Sequence, residues 1–149
     1  MVGSLRLVKL LIYHGADANL LIGRQPTNLL LYILKDLSHL PKESCLADDI
    51  IQCLINDAQI NTDTTDNNGD SVAHYLAASA KLNILKLLSP TELSRQNKKN
   101  WTTMHFAVER QHYYTAMWLA KHCSTLIDVK SIDDQDLTNE MINIQWRLF

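Results

Sequence analysis

Long apolar runs are missing from this chain. The longest, Leu29 to Leu34 among them, fall far short of the roughly 20 residues a membrane span needs, and no charged start followed by an apolar block resembles a secretory signal. Glycine is scarce, four residues in 149, and none lies in a GxGxxG or GKS/T pattern, which removes the usual phosphate-cradling loops. Cysteine is scarce as well. Cys45, Cys53 and Cys123 are odd in number and form no CxxC pair, a usage that suits free, mostly buried thiols in a reducing compartment better than a secreted disulfide scaffold; the cytoplasm is the expected location. Neither sign of charge dominates, and a formal net charge of −2 gives no global attraction to nucleic acid or to anionic lipid. What remains is 46% apolar residues, enough to build a core and too many for a disordered chain, in a length that suits one domain or one short repeat array.

Self-similarity organises the rest. The phrase Gly69-Asp-Ser-Val-Ala-His74-Tyr-Leu-Ala77 returns as Asn100-Trp-Thr-Thr-Met-His105-Phe-Ala-Val108, with the two histidines 31 residues apart. A weaker copy starts at Gly23 and places Pro26 where the others carry Val72 and Thr103, and Asn28 where they carry histidine. A second phrase follows at a regular offset. It runs Leu5-Arg-Leu-Val-Lys-Leu-Leu-Ile12-Tyr-His-Gly15-Ala-Asp-Ala-Asn19, and returns at Asp49 to Ile55, at Leu82 to Leu88 and loosely at Tyr113 to Lys121. Apolar residues three and four apart predict a short helix for each copy. Ser71 and Thr102 are suited to cap the first helix of a unit, and Gly15 to end the second, because glycine tolerates the left-handed conformation found there. The predicted unit is turn, helix, turn, helix, with a period near 33.

With those phrases in hand, the chain resembles the ankyrin-repeat family, whose repeat carries a Gly-x-Thr-Pro-Leu-His-x-Ala phrase and a Gly-Ala-Asp-Val-Asn ending. The resemblance implies an all-α solenoid of stacked helix-turn-helix units spanning residues 1–149 as a single domain. About three whole units lie between two partial ones: 1–19 partial, 20–61 with an insertion near 38–44, 62–94, 95–130, and 131–149 partial. Residues 1–19 supply only a second helix, so the chain reads as part of a longer array. Pro90 is expected to stop or reshape the end of the third unit. In such an array a helix pair cannot bury its apolar face alone, and stacking supplies the core. Leu10, Leu11, Leu54, Leu87, Leu88 and Leu119 are expected inside, with Ala77 and Ala107 letting the first helices approach closely.

The family binds partners through turns that project as fingers, together with the first helices. That implies a partner-binding surface from Leu21, Ile22 and Arg24 in the second unit, Asn67, Asn68 and Asp70 in the third, and Lys98, Lys99 and Trp101 in the fourth, with Glu109 and Arg110 on the adjoining helix. The cluster Arg95, Lys98 and Lys99 beside Trp101 reads either as a solvated turn or as a contact surface for an acidic partner.

The residues that suggest chemistry have plainer readings. His74 and His105 resemble the family's structural histidines, which bond near the helix start in a fixed neutral form. His122 and Cys123, with His112 nearby, are adjacent on one helix and do not face each other, and four convergent zinc ligands are absent. The pairs Asp48-Asp49 and Asp133-Asp134, like Asp63 and Asp66, fall where helices begin or turns bend, which is where carboxylates are favoured anyway. The expectation is a monomeric, non-catalytic module that binds a protein partner and takes no cofactor, metal, nucleic acid or membrane. The alternative is the recruiting arm of a larger enzyme or secreted effector whose catalytic domain lies elsewhere. The divergent endings are similar in style to ankyrin-repeat effectors of intracellular bacteria, which would place the chain in a host cytoplasm.

Overall fold

The computed structural model describes residues 2–21, 27–37 and 45–123. Within them the chain folds into eight helices: α1 (Val2–Tyr13), α2 (Leu29–Leu37), α3 (Cys45–Asn56), α4 (Val72–Ala78), α5 (Leu82–Leu85), α6 (Pro90–Leu93), α7 (Thr103–Glu109) and α8 (Tyr113–His122). The described residues contain no strand, only one isolated antiparallel bridge between Thr65 and Ser71. The segment 38–44 and the tail 131–149, expected as an insertion and a last partial unit, lie outside the described residues, as do Ile22 and Arg24.

Two rows of helices form. The first runs α2, α4, α7, and the second runs α1, α3, α5, with α8 packed on α7 and α6 on α4. Small side chains set the first row: Ala73, Ala77 and Ala107 are sealed, and Leu76 and Met104 fill the space their small size leaves. Leu30, Leu31 and Leu34 do the same on α2, and Ile51 and Leu54 on α3.

Left-handed residues recur with the period of the sequence. Gly69 and Asn100 hold φ of +80° and +59° at the fingertips, while Ala80 and Gln111 hold +55° and +59° at the turn between the paired helices. Glycine and asparagine enter that region at low cost, so their alignment is a conformational demand and not a chance match. Gly15, at φ +84°, ends α1 as expected, with its N–H on the Ile12 carbonyl and that of Ala16 on the Leu11 carbonyl.

Several expectations need correction. Leu10 and Leu11 are 53% and 51% exposed, because among the described residues α1 packs only on α3 and its other face is open. Leu87 is 46% exposed because α5 ends at Leu85, two turns short of the predicted span, and the chain swings Leu88 inward instead. Leu54, Leu88 and Leu119 are buried as expected. Pro90 reshapes the unit end by opening a helix: it is the first residue of α6, capped by Ser89, whose N–H donates to the Glu92 carboxylate at 2.7 Å. Asn28 stands not in the histidine register but at the start of α2. Its Oδ1 accepts from the Leu31 N–H at 3.1 Å and its carbonyl from the Tyr32 N–H, the place that Ser71 and Thr102 hold in α4 and α7. Asparagine caps helices well and Gln25 does not, so the weaker copy starts its helix three residues later than its sequence alignment implies.

Candidate partner-binding surface

The fingers are built from an acid or amide that sequence reasoning passed over. In finger 65–71 the Asp66 Oδ1 accepts the N–H groups of Asn68 and Asp70 at 2.8 and 3.0 Å, and the Asp66 N–H closes the turn on the Asp70 carbonyl. In finger 96–102 Asn97 repeats this bond for bond, accepting from Lys99 and Trp101 at 2.9 Å each and donating to the Trp101 carbonyl. Asp66 and Asn97 stand 31 residues apart, so the repeat itself carried the signal.

Neighbouring fingers are also tied to each other. The Lys98 N–H donates to the Asn68 carbonyl at 2.9 Å, its Nζ to the Asn67 carbonyl at 2.7 Å, and Asn97 Nδ2 to Asp70 Oδ1 at 2.7 Å. Gly69 permits this approach, since a Cβ there would lie 3.1 Å from the Lys98 nitrogen. Asp70 is withdrawn from the surface: it is 7% exposed and holds Asn97, so it shapes the finger pair from beneath.

Histidine joins fingers to helices. His74 Nδ1 accepts the Ser71 N–H at 3.0 Å, which puts the ring proton on Nε2, and Nε2–H donates to the Trp101 carbonyl at 3.0 Å in the next finger. His105 Nδ1 accepts the Thr102 N–H at 3.1 Å in the same way, and the hydroxyls of Ser71 and Thr102 lie 2.8 and 2.9 Å from these nitrogens. Burial pushes the His74 pKa below the ordinary histidine value, against the pull of the Trp101 carbonyl and the Asp70 and Asp66 charges. The ring is a neutral strut between units, as the family resemblance implies.

Above this frame lies an aromatic row. Tyr32, Tyr75 and Phe106 occupy the fourth position of α2, α4 and α7 respectively. Tyr75 is buried, its hydroxyl donating to Asp66 Oδ2 at 3.0 Å, whereas Tyr32 is exposed and Phe106 half-buried. Trp101 packs edge-on to Phe106 at 5.6 Å and stacks on His105 at 6.1 Å, with Lys99 Nζ 6.0 Å from its ring. It is half-buried, not the exposed residue its variable slot suggests, and its indole N–H is covered with no hydrogen-bond partner among the described residues. Asn67, Asn68, Lys98 and Lys99 are exposed along the same edge. Glu109 and Arg110, also exposed, lie at the end of α7 with Arg110 Nε 3.8 Å from the Glu109 carboxylate, and Leu21 is exposed at the far end.

Elsewhere the described residues hold little reactive chemistry. No three His, Cys, Asp or Glu side chains among them group to hold a metal ion. The Cys123 thiol is buried and its pKa raised by that burial, while the neighbouring His122 stacks on Trp118 at 4.4 Å and bonds the Trp118 carbonyl through Nδ1 at 2.8 Å. At the edge opposite the fingers an open groove of about 620 Å³ lies between the turns of the α4–α5 and α7–α8 pairs; the Lys81–Asp48 ion pair, His112 and Tyr114 line it. No described helix is long and apolar enough to cross a membrane.

A search of the curated proteins finds no match. A family model described as ankyrin repeats (3 copies) matches residues 43–133, well over half of the chain and all of the cross-bonded finger pair described above. Proteins of this kind are generally protein-interaction modules and typically non-catalytic. The recurring phrases, the paired helices, the histidine struts and this match agree, and the chain belongs to the ankyrin-repeat family.

Proposed function

We propose that this chain is a non-catalytic protein-binding module that holds its partner on the concave side, across the fingers 65–71 and 96–102 and the adjoining ends of α4 and α7. One observation carries the reading: the two fingers are bonded to each other through Lys98, Asn97 and Asp70, so the edge that carries Asn67, Asn68, Lys98, Lys99 and Trp101 is rigid before any partner arrives. A surface already ordered loses little entropy on binding. Trp101 is the central anchor, since large flat side chains dominate interface energies, and Arg110 extends the contact along α7. Arg24 belongs to the same edge by its place in the repeat. The free, buried thiols of Cys53 and Cys123 support a reducing, cytoplasmic setting.

The test compares the chain with its Trp101→Ala variant as bait in cell lysate, followed by titration of each captured protein. A true partner should be held by the chain and weakened by about 2 kcal/mol in the variant, with far-UV circular dichroism showing the helices intact. Proteins captured equally by both would reject the finger surface.

A further inference from the structure

We infer that the partner segment seated on this finger pair is acidic and carries one large apolar or aromatic side chain. The inference rests on the protein-binding reading above and concerns the chemistry of that one surface.

The argument starts from where the charges point. Finger 65–71 contains Asp66 and Asp70, and both are only 7% exposed. Internal donors occupy them: the backbone of Asn68 and Asp70 and the Tyr75 hydroxyl on Asp66, and Asn97 on Asp70, with Lys35 Nζ a further 3.6 Å from Asp66. Finger 96–102 contains Lys98 and Lys99 and no acid, and both lysines are exposed. The carboxylates of the pair therefore face inward and its cations face out, so this edge is positive on a chain whose formal net charge is −2. Lys98 is also held in place, its Nζ on the Asn67 carbonyl at 2.7 Å, a neutral acceptor that fixes the ammonium without cancelling its charge. Further along, Arg110 sits 3.8 Å from Glu109 and Arg95 Nη2 2.9 Å from Asp63, so the excess charge concentrates at residues 98 and 99.

Beside those lysines stands the half-buried pair Trp101 and Phe106, edge to face. Their uncovered part offers an apolar seat next to two cations and the exposed amides of Asn67 and Asn68. A segment with a single apolar anchor and flanking carboxylates satisfies both features at once. A stretch of nucleic acid does not suit the surface as well, because tight phosphate binding draws on many more cations along the backbone than two lysines supply.

The test selects a displayed library of random 12-residue peptides on the folded chain and measures the enriched peptides against variants. Enriched sequences should carry a net negative charge and one Trp, Phe, Leu or Ile. Their affinity should fall at least tenfold in Lys98→Gln/Lys99→Glu and in Trp101→Ala, should weaken with added salt, and should be unchanged in Leu10→Ala. Lys99→Glu alone, which leaves the Lys98 bonds to the preceding finger intact, should give a smaller loss and guards against a folding effect. Enriched peptides that are neutral or basic yet still depend on Trp101 overturn this inference and leave the protein-binding reading standing. Peptides indifferent to every finger variant, or no enrichment at all, overturn both. Tighter binding of a 12-nucleotide single-stranded DNA than of any acidic peptide, lost in the same lysine variants, also overturns it.

Discussion

Helices α1 and α8 come from the same recurring phrase, yet they keep different company. The Ala116, Leu119 and Ala120 side chains of α8 are buried, whereas Leu7, Leu10 and Leu11 of α1 are more than half exposed. The phrase specifies an apolar helix in both cases. What differs is the neighbour: α8 lies against α7, and α1 against α3 alone among the described residues. In a quasi-linear array burial belongs to the interface and not to the repeat, so the energy of a leucine depends on which units flank it.

The sharpest way to break this comparison is to remove one side chain from each setting. Leu76→Ala, at the fully buried junction of the first row, should cost about 3 kcal/mol in urea unfolding, within the range for leucine truncations that leave a cavity. Leu10→Ala on the open face of α1 should cost less than about 1 kcal/mol. Equal costs would mean that α1 is sealed in solution.

A second test concerns the struts. His74→Leu deprives the Ser71 N–H of its acceptor and should cost about 2 kcal/mol near neutral pH. The histidine also predicts a pH dependence. Burial holds its folded pKa below the unfolded value of about 6.5, so the unfolded chain takes up a proton first as the pH falls. Its contribution is therefore complete above that value and is lost as the pH drops toward the folded pKa, at up to about 1.4 kcal/mol per pH unit. Thermal unfolding of the wild type between pH 7.5 and 5.5 should show this decline, and His74→Leu a shallower one. Parallel slopes would show that another group governs the acid limb.

Much of this was legible in the residues. Gly69 and Asn100, Ser71 and Thr102, and His74 and His105 fall 31 apart, and each pair has a conformational or hydrogen-bonding duty that restricts it to few residue types. The fingers were found by the same spacing, but their keystones Asp66 and Asn97 were missed, because a carboxylate and an amide look unlike although one side-chain oxygen does the same work in both. Asn28 misled for the converse reason: matching by position in a phrase ignored that asparagine is itself a helix cap. The exposure of Leu10, Leu11 and Leu87 was not legible, since apolar spacing fixes which way a helix face points and says nothing of what stands opposite. Trp101 sits between the two cases. Its slot is variable in the family, but the aromatic at the fourth position of α7 gives it something to lean on.

Smaller effects should sharpen the contrast between fingertips and inner turns. Gly69→Ala combines a left-handed φ of +80° with a Cβ 3.1 Å from the Lys98 nitrogen, and should cost about 2 kcal/mol in the same unfolding measurement. Gln111→Gly removes a side chain from a φ of +59° at an exposed turn and should stabilise by no more than about 1 kcal/mol. Destabilisation by the second change would mean that the Gln111 side chain holds that turn.

The contact between Gly69 and the Lys98 backbone bears on how such arrays can be reassembled. Repeats are often treated as interchangeable bricks, to be shuffled, deleted or duplicated in any order. Here the residue permitted at one fingertip is decided by the main chain of the following unit, which reaches back and takes the Asn68 carbonyl. A unit with a side chain at the Gly69 place would not accept the 95–130 segment as its successor without forcing the two tips apart, and the Lys98 and Asn97 bonds would stretch with them. Duplicating this part of the array should therefore succeed when the junction from Asn67 to Lys99 is moved as one piece, and fail when it is cut between the fingers.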